Sequence, residues 1–371
     1  MSGDGASYRA AGVDYEVLDA GKRLAMTSAL ATSTLMAARG GRALDASRGE
    51  PAFVFELGGQ TLAFVVEGLG TKSMIARAVL EEQGVNRFAD VAYDTVAAIV
   101  NDLCCVGALP VVVNAYFATG SSAWYSDEER SRALVEGWQR ACVDAGCAWG
   151  GGESPSLPGL LAEEEIELAG AAVGAVPEGC RPILGEELDA GDEIVLVVSS
   201  GLHANGASLA RLIAGRLPGG YATELPGGES FGEALLAPSI GYVPLVSALL
   251  EQRVPVTYLS HVTGHGLLKL MRPPKELTYR IERLPPVPPV LSFLSERAEL
   301  DPAAAYSTFN MGAGFAIYCR GGSGETVVSI ARGLGFEAIL AGGVENGPRR
   351  VLLEQVGVSL AGDQLELTPE T

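Results

Sequence analysis

A glycine-rich turn with a lysine is the first feature of this sequence whose residue types could do chemistry. The apolar run Leu62–Val66 leads into EGLGTK, residues 67–72, and a helix-forming stretch follows at once. Backbone amides approach an anion closely where side chains are absent, and a helix N-terminus attracts negative charge. The turn therefore suits a phosphate group, although it lacks the P-loop pattern that ends in Gly-Lys-Ser/Thr.

Polar side chains also interrupt an apolar helical stretch about thirty residues further along the chain. Asn101 and Asp102 lie among alanine, valine and leucine. An unpaired carboxylate is costly to bury, so we expect a metal ion or another partner at Asp102.

Three further glycine turns lie in the second half, each at the end or the start of a predicted strand. Their sequences are SGLHANG (200–206), SHVTGHG (260–266) and TFNMGAG (308–314). All three histidines of the chain lie in these turns: His203, His261 and His265. Backbone amides and polar side chains at helix starts predict a second anion-binding region.

Composition limits the possible ligands. With 26 basic and 45 acidic residues the formal charge is −19, which argues against non-specific binding to nucleic acid or to anionic membranes. No apolar run reaches the roughly 18 residues of a membrane span without interruption. An anionic substrate would therefore need local help from a divalent metal, Lys72 and helix N-termini.

The cysteines predict a reducing compartment. The six cysteines contain no C-x-x-C pair, and the amino terminus has no apolar signal core. We expect six unpaired thiols in a cytoplasmic protein.

The elements that position these residues follow an α/β pattern. A length of 371 residues corresponds to roughly two domains. We predict an arm or flap over 1–50, a first domain over 51–178 and a second domain over 179–371. Gly58-Gly59 predicts a hairpin between two strands, and 127–145 predicts an amphipathic helix with Ser126 as its N-cap. The last predicted elements are a helix over 324–333 and a strand over 337–344.

The order of the motifs resembles the aminoimidazole ribonucleotide (AIR) synthetase family, also called phosphoribosylformylglycinamidine cyclo-ligase, of purine biosynthesis. Eight motifs occur in the family's order between residue 11 and about residue 345. They are AGVDYEVLDAG, EGLGTK, VNDL, AYFATG, GGES, SGLHANG, SHVTGHG and TFNMGAG. One glycine motif is weak, but eight in order are specific.

Four positions depart from the family's pattern, in which aspartate stands at positions 67 and 115, GGET at 151–154 and a small residue at 265. This chain has Glu67, Ala115, Ser154 and His265 there. The chain therefore resembles a divergent subgroup. Asn114 is no simple substitute for the missing aspartate, because adjacent strand residues point to opposite faces.

The resemblance implies ATP-dependent closure of formylglycinamidine ribonucleotide to aminoimidazole ribonucleotide, with Mg²⁺, in a two-domain AIR-synthetase-like fold. It implies a homodimer in which the first domains pair into a shared β-barrel. The implied catalytic residues are His203, Lys72 and Asp102. The implied nucleotide site comprises Glu67, Gly68, Gly70, Thr71, Lys72 and Asn101, and the implied metal ligands are Glu67, Asp94, Asp102 and Glu153. The implied substrate site comprises Ser200, Gly201, His203, Asn205, Gly206, His261, Thr263 and Asn310.

Other activities in the same superfamily are alternatives. Selenophosphate synthetase needs a reactive cysteine or selenocysteine near its amino terminus, and here no cysteine precedes Cys104. The hydrogenase maturation dehydratase has a carboxy-terminal cysteine, whereas this chain ends in ELTPET. Thiamine-monophosphate kinase lacks the pairing of SGLHANG with TFNMGAG. A divergent enzyme that phosphorylates another amide or acyl group, or a nucleotide-binding relative without catalysis, also stays open.

Overall fold

Two β-sheets with helices packed against them form the protein in the computed structural model, which describes residues 15–365. The strands are β1 (Gly41–Ala43), β2 (Phe53–Leu57), β3 (Gln60–Gly68), β4 (Leu109–Thr119), β5 (Ala148–Glu153), β6 (Ile166–Ala175), β7 (Glu193–Val198), β8 (Val256–His261), β9 (Leu277–Ile281), β10 (Ala313–Cys319), β11 (Ala338–Asn346), β12 (Arg350–Leu353) and β13 (Val358–Ala361). The α-helices are α1 (Tyr15–Leu30), α2 (Lys72–Gln83), α3 (Phe88–Cys104), α4 (Glu128–Asp144), α5 (Ala207–Ala214), α6 (Phe231–Leu235), α7 (Val243–Glu251), α8 (Pro289–Arg297), α9 (Pro302–Thr308) and α10 (Gly324–Gly333).

The first sheet has the strand order β1-β2-β3-β6-β4-β5. β2 and β3 form the predicted antiparallel hairpin, and only β4 and β5 run parallel in this sheet. The apolar helix α3 packs on β3 and β6. It is apolar nearly all round because α4 covers its other side, as expected for a helix between layers.

The second sheet has the order β13-β12-β9-β11-β7-β10-β8. β7 is central and reads EIVLVV with four consecutive buried residues, the pattern of a strand covered on both faces. β11 is followed by β12 and β13, which the sequence analysis did not predict. The predicted boundary at residues 178 and 179 falls between the two sheets, and the exact domain limits stay a prediction.

The start of α4 corrects one prediction. Its N-cap is Asp127, whose Oδ1 accepts a hydrogen bond from the Arg130 backbone nitrogen at 2.9 Å, and not Ser126. Asp127 has the extended backbone of an N-cap, and both residue types cap well, so composition alone does not separate them.

The predicted arm, residues 1–50, is only partly covered by the structure, because residues 1–14 lie outside the described part. From Tyr15 onward it contains α1, a 3₁₀ helix (Ser33–Arg39) and β1, which pairs with β2 at the edge of the first sheet.

The cysteines are unpaired, as predicted: Cys104, Cys105, Cys142, Cys147, Cys180 and Cys319. Between residues 15 and 365, the structure has no helix that is both long and apolar enough to cross a membrane.

Candidate active site

A cavity of about 640 Å³ lies where β3 and α3 meet the turns that follow β7 and β8. Many of the residues in its wall are site residues predicted from the sequence. They are Glu67, Gly68, Gly70, Thr71, Asp102, Asn205, Gly206, His261 and Thr263. Glu67 and Thr263 are 196 positions apart in the chain, yet both contribute to this one site.

Two helices begin at this cavity. Thr71 precedes α2 and Gly206 precedes α5, and the hydroxyl oxygens of Thr71 and Ser208 are 3.2 Å apart. Gly206 has a φ of 105°, and a Cβ there would lie 2.7 Å from Leu202 Cδ1, so only glycine fits. Two helix N-termini give the cavity partial positive charge and free backbone donors, which suit phosphate oxygens.

A carboxylate pair and a histidine form the polar centre of the cavity. His261 Nδ1 lies 2.6 Å from Asp102 Oδ1, and the two side chains are only 4% and 14% exposed. Burial would raise the pKa of Asp102, but the His261 hydrogen bond and charge, together with the charges of Lys269 and Arg272, outweigh burial and lower it. Burial, followed by the charge of Asp102, raises the pKa of Glu67 to about 8.

Glu67 and Asp102 fit a divalent cation. Two carboxylates that share one site repel each other when both are ionised, and this repulsion adds to burial in raising the pKa of Glu67. Mg²⁺ binds through one or two carboxylates together with phosphate oxygens and water. Within residues 15–365, however, no group of three or more His, Cys, Asp and Glu side chains is arranged to hold a metal ion.

Asp94 and Lys72 lie away from the cavity wall. Both side chains are fully buried and form an ion pair with each other. The Lys72 ammonium also donates to the His203 carbonyl oxygen at 2.8 Å, and Asp94 Oδ1 accepts from the Ser239 nitrogen at 2.6 Å. The pair therefore connects α2 and α3 to two loops of the second half.

Two other predicted residues, Asn101 and Asn310, hold loops in place. Asn101 donates to the Ile240 oxygen at 2.9 Å and accepts from the Tyr242 nitrogen at 2.8 Å. Asn310 accepts from the Ser199 hydroxyl and donates to the Gly201 oxygen, both at 2.8 Å. These amides fix the loop before α7 and the turn after β7.

His203 lies beneath the SGLHANG turn rather than at the cavity wall. Its side chain is buried, and its Nε2 accepts from the Ser200 backbone nitrogen at 3.1 Å. Ser200 itself donates through its hydroxyl to the Pro238 oxygen at 2.5 Å. Burial, followed by the charge of His261, holds the pKa of His203 well below its usual range, so the imidazole stays neutral.

The remaining predicted positions are spread over the first half and the SHVTGHG turn. Glu153 is exposed at the end of β5 and accepts from the Ser154 nitrogen at 3.1 Å. Ala115 is buried in the core, whereas Asn114 next to it is exposed, as the strand alternation predicts. His265 lines the cavity with a left-handed φ of 71°.

Sequence reasoning missed the cations in the wall, above all Lys269 and Arg272. Lys269 belongs to the 3₁₀ helix Gly266–Met271, and Arg272 follows it directly. Burial, then the charge of Arg272, lowers the pKa of Lys269 to about 7. The signal was present, because Lys269 stands one helical turn after the SHVTGHG motif and therefore faces the same side as that turn.

Family models match both halves of this chain, and related proteins cover most of its length. The model for the AIR synthase related protein, N-terminal domain, matches residues 49–176, and the model for its C-terminal domain matches residues 189–353. A phosphoribosylformylglycinamidine cyclo-ligase from Anaeromyxobacter sp. (strain K) is 36% identical over 285 residues, which cover 76% of this chain and 79% of the relative. One of the same name from Methanobrevibacter smithii is 30% identical over 324 residues, 87% of this chain and 90% of the relative.

Solved structures share the fold. Hydrogenase maturation protein HypE matches with a TM-score of 0.60 at 17% identity, covering 84% of this chain and 92% of that chain. AaThiL in complex with AMPPCP and TMP matches with a TM-score of 0.55 at 18% identity, covering 84% of this chain and 89% of that chain. The predicted two-domain α/β fold is confirmed.

Proposed function

This chain belongs to the AIR synthase family, and from that membership we propose that it closes the ring of formylglycinamidine ribonucleotide. The products are 5-aminoimidazole ribonucleotide, ADP and phosphate, and the reaction is a step of purine biosynthesis. The cyclo-ligase name of relatives at 30–36% identity over most of the chain supports this reading.

One observation carries the proposal: two helix N-termini, the Glu67 and Asp102 carboxylates and His261 face the same cavity. Phosphoryl transfer depends mainly on positioning and on neutralising negative charge. The cavity combines hydrogen-bond donors for phosphate oxygens, candidate metal ligands and a group that can accept a proton. A volume of about 640 Å³ is within the usual range for small-molecule sites.

The reaction has two steps. The amide oxygen of the substrate attacks the γ-phosphorus of ATP, forming an O–P bond while the bond to the bridging oxygen breaks and its electron pair leaves with ADP. The internal nitrogen then attacks the activated carbon, forming the ring C–N bond. The C–O bond breaks, phosphate leaves with that electron pair, and the ring nitrogen gives up a proton.

The EGLGTK turn, residues 67–72, and the SGLHANG turn position the phosphate groups in this proposal. Backbone amides at Thr71 and at Asn205–Ser208 would donate to phosphate oxygens, whereas the Leu69 amide already donates to the Leu168 oxygen at 2.7 Å. Glu67 and Asp102 would hold Mg²⁺, which would supply charge neutralisation at the transferring phosphoryl group.

His261 is the proton acceptor that the geometry favours. In the neutral tautomer that donates from Nδ1 to Asp102 at 2.6 Å, Nε2 carries a lone pair. We propose that Nε2 takes the proton released at ring closure. His203, which the resemblance implied as a catalytic residue, would then act by holding the turn after β7.

A homodimer completes the proposal. On the face of the first sheet opposite α3, the strand residues Phe64, Val66, Val111 and Tyr116 are between 37% and 63% exposed. β6 contributes Ala169, Ala171 and Val173 to this face, and Glu167 and Asn114 are its polar members, so the surface is largely apolar. A second copy that pairs face to face would bury it. The six unpaired cysteines support a cytoplasmic location.

Product analysis tests the function. Purified protein is incubated with ATP, Mg²⁺ and formylglycinamidine ribonucleotide, with thiamine monophosphate or selenide as alternative acceptors. We expect one aminoimidazole ribonucleotide per ADP with the first acceptor and no acceptor-dependent ADP with the others. Equal ATP hydrolysis with and without formylglycinamidine ribonucleotide, and no ring product, would exclude the cyclo-ligase and favour a divergent relative.

A further inference from the structure

The Lys269 side chain is a cavity-wall cation that forms no hydrogen bond and no close ion pair with the described residues. The chain has only four lysines, and two of them, Lys22 and Lys269, line this cavity. Between residues 15 and 365, the Lys269 ammonium has no hydrogen-bond acceptor and no carboxylate oxygen within 4.0 Å. Lys72 and Lys275, by contrast, each have two oxygen partners.

The neighbouring cation is already engaged. Arg272 donates through Nε to the Gly49 carbonyl oxygen at 2.7 Å and lies 3.9 Å from Glu50 Oε2. Glu50 in turn accepts from the Tyr258 hydroxyl at 2.8 Å. This network fixes Arg272 at the cavity wall. The positive charge of Arg272 repels the Lys269 ammonium there.

Lys269 is the basic group of the second half that is left for a ligand. Arg272 beside it in the cavity wall is held by Gly49 and Glu50. A partly buried ammonium without an acceptor is costly, and an anionic ligand would remove that cost.

Phosphate is the anion that matches this position. Lys269 interacts electrostatically with both Glu67 and Asp102, which face the same cavity as the two helix N-termini. Ammonium groups bind phosphate oxygens as compact point charges. The ligands of the proposed reaction offer two sources, the triphosphate of ATP and the phosphate ester of the ribonucleotide.

We propose that Lys269 is a further ligand-contacting residue of this active site and that its ammonium binds a phosphate group of a substrate. The inference rests on the proposed function for the identity of the phosphate compounds. The position belongs to none of the residues that the motif comparison implied, and it extends the site from the glycine turns to the 3₁₀ helix after SHVTGHG.

Binding measurements on three variants test this role. Lys269→Gln removes the charge, Lys269→Arg keeps it, and Lys275→Gln makes the same charge change six residues away, outside this cavity. Calorimetry with a non-hydrolysable ATP analogue and, separately, with ribose 5-phosphate measures affinity. Thermal melting of each variant confirms that it is folded.

We expect Lys269→Gln to weaken one of these probes about 10- to 100-fold, the effect of one charge-assisted contact. Lys269→Arg and Lys275→Gln should stay within about threefold of the wild type. If only the affinity for the ATP analogue falls, Lys269 binds the triphosphate. If only the affinity for ribose 5-phosphate falls, Lys269 binds the phosphate ester of the ribonucleotide. Affinities of folded Lys269→Gln that match the wild type for both probes would overturn the proposal.

The outcome is separable from the proposed function. Charge-dependent binding by Lys269 without any ring product would support the contact and contradict the cyclo-ligase. Wild-type rates of ring closure by Lys269→Gln, with unchanged binding, would contradict the contact and leave the cyclo-ligase in place.

Discussion

The side chains at the centre of the cavity show that position decides what each ionisable group can do. Glu67 and Asp102 are both carboxylates in the same cavity, yet their pKa values move in opposite directions. Asp102 has His261 as a hydrogen-bond partner at 2.6 Å, whereas Glu67 is buried beside another negative charge. Glu67 is therefore the carboxylate that most needs a cation.

Glu67→Gln should change how stability depends on pH. Because the pKa of Glu67 is about 8 in the folded protein against 4.5 normally, the folded state keeps a proton that the unfolded chain loses. Stability conferred by this group is complete below about pH 4.5 and is lost as pH rises toward 8. In metal-free buffer we expect wild-type stability to fall by about 1–3 kcal/mol relative to Glu67→Gln between pH 5 and pH 8.

Denaturant unfolding of both proteins across that pH range provides the measurement. Mg²⁺ added at pH 8 should restore the stability of the wild type, because the metal binds the ionised carboxylates of Glu67 and Asp102. It should have little effect on the stability of Glu67→Gln. Parallel pH profiles for the two proteins would show that Glu67 titrates normally.

His261→Asn should slow ring closure and spare nucleotide binding. The asparagine can still bond to Asp102, but it cannot accept a proton at the position of Nε2. We expect kcat to fall by about 10²–10⁴ with an unchanged Kd for ATP. Steady-state rates and calorimetry measure the two effects, and His203→Asn serves as the comparison. If fully folded His203→Asn loses more kcat than His261→Asn, His203 and not His261 is the proton acceptor.

At the scale of elements, α3 joins the two halves of the molecule. It packs on the first sheet and on α7 and β8 of the second half, and its Asp94 and Asn101 bond to the 239–242 loop. Lys72, at the first turn of α2, reaches Asp94 and the His203 carbonyl oxygen. These contacts fix the EGLGTK turn to the SGLHANG turn.

Lys72→Met should unfold the protein more easily. It leaves the Asp94 carboxylate buried without its cation, which costs about 3–5 kcal/mol. Lys72→Met/Asp94→Asn should recover part of this loss, because the neutral amide still accepts from the Ser239 nitrogen. Chemical denaturation measures both variants. A Lys72→Met protein that keeps wild-type stability and loses only ATP affinity would instead support the direct nucleotide contact predicted from the sequence.

The elements were largely predictable from the sequence, and the partners of their side chains were not. Apolar runs and glycine turns indicated β3, β7 and β8, because turn chemistry and strand composition are local. The ion pair of Lys72 and Asp94 and the Lys72 contact with residue 203 depend on packing between the halves, which no local pattern records. Lys269 was missed because a single lysine after a turn has the composition of an exposed helix residue.

At the scale of the whole molecule, the exposed face of the first sheet is the surface that the proposed dimer uses. Val66 is 63% exposed on β3 and Val111 is 53% exposed on β4, on either side of β6. An apolar sheet face of this kind is unfavourable in a monomer and is normally covered.

Val66→Lys should therefore convert a dimer into a monomer of 38.4 kDa. The ammonium would have to be buried between two apolar faces, which opposes association. Val143→Lys, at a 69% exposed position on α4, is the matched control and should stay dimeric. Analytical ultracentrifugation distinguishes the species. A monomeric wild type at micromolar concentration would contradict the proposed dimer.

The central claim is that this cavity phosphorylates an amide oxygen and closes a ring, and the fate of that oxygen tests it most directly. Formylglycinamidine ribonucleotide labelled with ¹⁸O at the amide oxygen is turned over with ATP and Mg²⁺, and the phosphate is analysed by mass spectrometry. The account predicts one ¹⁸O atom in the phosphate for each aminoimidazole ribonucleotide formed. Ring product accompanied by unlabelled phosphate would contradict it.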